Sequence, residues 1–327
     1  MGFASRYRRR VGRWRRAALA VLVTGAVVVP LSGAVRPEIP APPPASLAPL
    51  SASTLDEAYA ANRANAAEAA RMAAAHHDRG RAARDRSLAG PARHLLAFDG
   101  RGSGRVTEVL GDLARADRIA VLVPGSDTSL DTYGRFHAAA AALYGQLVRQ
   151  APGGTRTAVV AWLGYETPGT VSATVTTTGR AEQAAPRLRA LVADLRSMTG
   201  GGPRISLLCH SYGSVVCGRA AAGLAVDDIA LVGSPGTGAA SATGLRTRAR
   251  VWAARGGEDW VENIPHVSAS LFGTTVGFGT DPVSPAFGAR VFAAGDGGHS
   301  DYFRPGSTSL TNLTRIVLGE TKAVTHD

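Results

Sequence analysis

Lysine is almost missing from this sequence: of its 36 basic residues only Lys322 is lysine, and the rest are arginine. With the abundant alanine and glycine, that bias points to a GC-rich coding genome. Cysteine is nearly as scarce. Cys209 and Cys217 are the only two, which excludes the disulfide frameworks that small secreted domains use in place of a core. Both flank one strand-to-helix turn, a placement that sets their Cα atoms beyond bonding reach, so buried free thiols are the expectation. No group of cysteines and histidines has metal-ligand spacing, and there is no internal repeat. The net charge of +11 suggests nucleic acid, but seven arginines and no acid fall within residues 1–34, and without them the balance is +4. No basic stripe with interleaved aromatics supports nucleic-acid binding elsewhere.

The basic tract reads as a targeting signal. SRYRRRVGRWRR runs into the apolar AALAVLVTGAVVV and then Pro30, with small residues Ser32-Gly33-Ala34 after it. That order describes a secretory signal peptide over 1–34, cleaved after Ala34. The uncharged run from Ala17 to Val35 is also long enough for an uncleaved membrane anchor. Either form places the protein outside the cytoplasm, secreted or in the cell envelope. Residues 35–53 form a proline-rich linker, extended and exposed. A helical segment follows over 54–92, opened by a capping box at Thr54-Leu55-Asp56-Glu57 and serving as an alanine-rich brace. His76-His77 is read as its solvated end.

Over 93–321 the pattern becomes strands alternating with helices. HLLAFD, RVTEVL, RIAVLVPG, TAVVAWLGY, ISLLC, DIALVGSPG, RVWAARGG and ARVFAAGDG are the strands. Helices are expected through FHAAAAALYGQLVRQ, near 181–198, directly after Ser211, and through SLTNLTRIVLG. Near-continuous apolar strands separated by helices mean an α/β fold with a mostly parallel sheet covered on both faces.

In such sheets function gathers at the carboxyl ends of the strands. Those ends supply Val123-Pro124-Gly125-Ser126-Asp127, then Cys209-His210-Ser211-Tyr212-Gly213, then Gly256-Gly257-Glu258-Asp259, and finally Gly295-Asp296-Gly297-Gly298-His299. Serine, acid and histidine in that chain order are the elements of a nucleophilic triad. A serine hydroxyl is a weak nucleophile and needs an imidazole to take its proton. The imidazole needs a carboxylate to fix its tautomer, and the oxyanion needs backbone N–H donors. Ser211, Asp259 and His299 fill the first roles, and the N–H groups of Ser126 and Tyr212 the last. Glu258, Asp281, Asp296 and Asp301 are the rival acids. Asp259 leads because it lies in the loop just after the penultimate strand, whereas Asp281-Pro282 initiates a turn and Asp296 and Asp301 shape the histidine loop. Ser214 and Ser234 are the neighbouring serines to test beside Ser211.

At this point the chain resembles a family. LLAFD, VLVPG, CHSYGS, DDIALVGSPGTG, DPVSPAFGARVF and GHSDYF are similar to segments of the actinobacterial α/β-hydrolases that carry a domain of unknown function, over roughly residues 54–320. The resemblance implies an α/β-hydrolase fold, a serine nucleophile carried onto Ser211, a histidine carried onto His299 and an acid carried onto Asp259. One position departs from it: Cys209 stands where the family usually has glycine.

The other histidines have quieter readings. His210 is expected to point away from the cleft, packed or hydrogen-bonded. His94 precedes a strand, His137 lies on a helix and His326 is in the tail. His266 falls in the Gly/Ser/Thr-rich stretch 260–288, a candidate lid or substrate loop. The function expected is a serine hydrolase cleaving an ester or related acyl bond of a small-molecule or lipid-like substrate, without cofactor or metal. A peptidase or amidase with the same triad and a non-catalytic binding protein on the same fold are the rivals.

Overall fold

Strand residues of alternate parity face opposite sides of a sheet, and in this protein both sides are apolar. The computed structural model describes residues 40–170, 177–264, 268–271 and 274–326. The signal or anchor expected over 1–34 and His266 lie outside the described residues. Eight strands form the main sheet: β1 (His94–Asp99), β2 (Arg105–Leu110), β3 (Arg118–Val123), β4 (Thr157–Leu163), β5 (Arg204–His210), β6 (Asp228–Val232), β7 (Arg250–Ala254) and β10 (Arg290–Val291). A separate antiparallel pair, β8 (Ser268–Leu271) and β9 (Thr274–Gly277), lies within the stretch read as a candidate lid.

The spatial order is β1-β2-β4-β3-β5-β6-β7-β10. β1, β2 and β4 pair antiparallel, and every pairing from β4 through β3 to β10 is parallel. Ile119, Val121, Ile205, Leu207, Ile229 and Leu231 point to one face. There they meet α4 (Gly179–Met198) and α5 (Gly213–Ala220). Ala120, Leu122, Leu208, Ala230, Val232 and Trp252 point to the other, against α3 (Tyr133–Gln150) and α6 (Thr308–Leu318). Two cores, one per face, are why the strands read as continuous apolar runs.

The amino-terminal brace is two helices, α1 (Leu55–Ala75) and α2 (Arg79–Leu88), where one was expected. Asp78 caps α2 by accepting the Arg81 N–H at 2.8 Å. Small residues let α1 lie close on β1, with Ala66 and Ala69 packed with Leu95 and Phe98. The buried Asn62 amide donates to the Leu95 and Leu96 carbonyls at 3.1 and 3.0 Å. The capping box does not form. The Thr54 hydroxyl makes no cap bond to α1; it donates to the Pro49 carbonyl at 3.1 Å and accepts the Ser51 N–H at 2.8 Å.

The cysteines correct a second expectation. Cys209 and Cys217 are joined as a disulfide, with Cα atoms 6.4 Å apart. That separation falls within the bonding range of roughly 4.4–6.8 Å. The turn between β5 and α5 is so tight that the helix folds straight back beside the strand, and its second turn meets Cys209.

Candidate active site

Between the end of β5 at His210 and the start of α5 at Gly213 only two residues make the reversal. Ser211 absorbs it with φ +54°, a left-handed conformation rare for a side-chain-bearing residue. Such strain is on the order of 1–3 kcal/mol and persists only where the surroundings enforce it. Here the Ser211 N–H is tied to the Val232 carbonyl of β6 at 3.0 Å, and its own carbonyl accepts the Ser214 N–H at 2.9 Å. The disulfide fixes the two arms of the turn. The loop after β3 passes directly alongside: a Cβ added to Gly125 would fall 2.6 Å from the Ser211 Cβ. Ser126 follows Gly125 and therefore borders Ser211, as does Tyr212.

The N–H groups of Ser126 and Tyr212 have no backbone or side-chain acceptor among the described residues. The Tyr212 side chain is directed elsewhere. It is buried, its hydroxyl donates to the Thr177 carbonyl at 2.8 Å and accepts the Ala181 N–H at 3.2 Å, and burial pushes the phenol up to about 12. The Ser126 loop is pinned on its far side. The Asp127 carboxylate accepts the Thr170 N–H at 3.1 Å and the Thr170 hydroxyl, and the Thr128 N–H donates to Thr167 at 3.1 Å.

His299 rides on the loop after β10, and the Gly298 N–H donates to Asp301 at 2.9 Å to close it. His299 Nδ1 lies 2.8 Å from Asp259 Oδ1. The same oxygen accepts the Val261 N–H at 2.9 Å, and Tyr302 donates its phenol to Oδ2. Burial alone would raise the Asp259 carboxyl, but the hydrogen bonds from His299, Tyr302 and Val261 hold it below the usual carboxylate range. The Tyr302 oxygen in turn accepts the Gly256 N–H at 3.0 Å, and burial with the adjacent carboxylate raises its ionisation well above normal. Behind this group the chain must be bare. Gly233, at φ +56°, has no room for a Cβ, which would stand 2.8 Å from Asp259 Oδ2 and 3.1 Å from His299 Nδ1.

Ser211, His299, Ser126 and Tyr212 line one cavity of about 770 Å³. Asp259 is 2 % exposed and does not itself line the cavity; its partners His299, Tyr302 and Val261 do. Two of the rival acids are engaged elsewhere: Asp281 pairs with Arg255 and caps its own turn at Val283 N–H, and Asp301 serves the histidine loop. Ser214 is fully buried with its hydroxyl on the Cys209 carbonyl, and Ser234 is 4 % exposed. His210 is hydrogen-bonded as expected but is not turned away from the cleft. It lines the same cavity and sits 2.7 Å from the His299 carbonyl through Nε2, ring against ring at 4.8 Å. Burial first, and the neighbouring His299 second, depress it to about 4, so it stays neutral and donates to that carbonyl.

Tyr302, Gly233 and Trp260 escaped the sequence reading. Tyr302 lies within GHSDYF and Gly233 within LVGSPG, so the segments were visible while the roles were not. Trp260, beside Asp259, packs against the His299 ring, with centroids 4.6 Å apart and the planes tilted by 49°.

The alpha/beta hydrolase family model matches residues 99–269. Two uncharacterized proteins of Mycobacterium tuberculosis, from strains CDC 1551 / Oshkosh and ATCC 25618 / H37Rv, are each 29% identical over 272 residues. The match covers 72% of this chain, and the chain spans about 40% of the length of these curated relatives. Among solved structures, esterase PE8 matches with 19% identity and a TM-score of 0.43, over 65% of this chain and 97% of its own. A predicted CIB-like hydrolase from Thermoplasma acidophilum matches with 16% identity and a TM-score of 0.42, over 71% of this chain and 98% of its own.

Proposed function

We propose a reaction for a chain that belongs to the alpha/beta hydrolase family: as a serine hydrolase it cleaves an ester or related acyl bond through a covalent acyl-enzyme. The observation that carries this is the strained Ser211, at φ +54°, opening on the same cavity as a histidine held at 2.8 Å by a buried carboxylate.

The Ser211 hydroxyl attacks the acyl carbon while His299 Nε2 takes its proton. Asp259 keeps the other ring proton on Nδ1, so Nε2 is the free base, and it stabilises the imidazolium that forms. The oxyanion accepts the N–H groups of Ser126 and Tyr212, which stand ready without reorganisation. Collapse expels the alkoxide, which leaves as the alcohol with the proton from His299. Water then attacks the acyl-enzyme, giving its proton to His299, and the acid departs as Ser211 recovers its hydrogen.

We further propose that the protein is exported. The basic-then-apolar amino terminus motivates this, and a disulfide, which persists in oxidising compartments, supports it. Mass spectrometry of protein from a secreting host should show a start at Val35; an intact terminus in the membrane fraction would mean an anchor. For the reaction, a panel of p-nitrophenyl esters and matched anilides is the test. Esters should turn over, and Ser211→Ala should lower kcat by about 10^4-fold with the fold retained by circular dichroism. A variant that still turned over at the wild-type rate would remove Ser211 from the mechanism.

A further inference from the structure

The cavity around Ser211 is walled mostly by carbon. Phe136 and Ala139 of α3 and Phe303 line the wall and each packs against the core on that face of the sheet, and Trp260 and Ile264 come from the segment after Asp259. Trp260 is the telling member. It is 49% exposed, one of two large apolar side chains so exposed among the described residues. Leaving an indole in water has no folding benefit, yet this one lies over His299 at the edge of the cavity. An apolar chain seated on it would remove that surface from water, worth about 0.8 kcal/mol per buried methylene.

Charge on the wall is sparse. The Asp127 carboxylate is satisfied by the Thr170 amide and hydroxyl. Arg135, in the first turn of α3, lines the cavity, is exposed, and forms no ion pair or side-chain hydrogen bond among the described residues. It sits one residue from Phe136 and on the same helix face as Ala138 and Ala139, so its charge borders the apolar wall. A planar guanidinium at the border of an oily surface matches a carboxylate or phosphate joined to an alkyl chain.

We propose that the cavity takes an amphiphilic ester, its apolar chain lying on Trp260, Ile264, Phe136 and Phe303 and its anionic group, carboxylate or phosphate, pairing with Arg135. The assignment rests on reading this cavity as the substrate site, and its test uses ligands that are not hydrolysed. Octyl phosphate, octanoate, 1-octanol and inorganic phosphate are titrated into the wild-type protein by calorimetry. At least one of the two octyl anions should bind about fivefold tighter than 1-octanol. Octyl phosphate should bind more than about tenfold tighter than inorganic phosphate. The stronger of the two anions names the source, a phosphate headgroup or a free carboxyl. Arg135→Ala should bring the anion-to-alcohol ratio within about twofold, and Arg135→Lys should keep most of it. Trp260→Ala, which removes apolar wall and no charge, should weaken all three octyl ligands alike. Equal binding of anion and alcohol, a ratio that Arg135→Ala leaves intact, or inorganic phosphate binding as well as octyl phosphate would overturn the proposal. Should the ratios hold while no ester is turned over, the hydrolase reading fails and the ligand assignment stands.

Discussion

Tyr302 was not read from the sequence at all, and His210 was read only as a packed or hydrogen-bonded side chain. Each acts through a neighbour. Tyr302 holds the Asp259 oxygen that His299 leaves free, and the Gly256 N–H fixes the phenol in place. Its removal loosens the carboxylate without touching substrate. Tyr302→Phe should lower kcat by about 10–100-fold with KM nearly unmoved; an equal loss in a phosphonate-binding assay, or a KM effect alone, would show a packing role instead. His210 gives a pH signature. Unfolded, its imidazole gains a proton near the ordinary value of 6.5, and folded only near 4. Between those values the unfolded chain binds the extra proton, so stability is flat above pH 6.5 and falls as pH drops toward 4. The slope contributed is about 1.4 kcal/mol per pH unit. Asp259 acts lower: its depressed carboxyl adds stability above the unfolded carboxylate value near 3.9 and loses it below. Urea unfolding at pH 7 and 4.5 separates the two, and His210→Gln should flatten the curve in that window. An unchanged curve would mean His210 is not the group responsible.

The turn joining β5 to α5 shows what spacing can and cannot convey. CHSYG at the end of an apolar strand was enough to locate the turn, because strand period gives way to helix there. The positive φ at Ser211 and the disulfide were not readable, since both depend on how far the helix folds back over the strand. Two residues of connection force that fold-back and bring Cys217 to Cys209. The same limit explains the brace. Alanine-rich sequence marked α1, but the reversal at His76–Asp78, which separates α2, rests on a left-handed His77 at φ +62°. The capping box failed because the Thr54 hydroxyl found nearer partners in Ser51 and Pro49. A bridge closing so short a loop should contribute about 2–3 kcal/mol. Reduction with dithiothreitol, or the Cys209→Ala/Cys217→Ala pair, should lower unfolding stability by that amount and reduce turnover as the serine turn relaxes. Identical urea midpoints with and without reductant would show that the bridge does not form in solution.

Across the molecule, the strand segments and their order in the chain were readable chiefly because the central ones, β3 to β7, are buried on both faces and so are mostly apolar. In the spatial order β1 and β2 are hairpin neighbours, β3 follows β2 in the chain but pairs parallel with β4 and β5, and helices cross over from β3 to β4, from β4 to β5 and from β5 to β6. That order brings the ends of β3, β5, β7 and β10 to one edge of the sheet, where residues from 126 to 299 meet on a single cavity. The β8–β9 pair was missed, since its Gly/Ser/Thr-rich strands carry no apolar period. The central claim is that Ser211 is the one activated nucleophile of this chain. Incubating the native protein with a fluorophosphonate probe and locating the adduct by peptide mass spectrometry tests it directly. The account predicts a single adduct on Ser211, lost in Ser211→Ala and slowed in His299→Ala. An adduct on another residue, or labelling that survives Ser211→Ala, would contradict it.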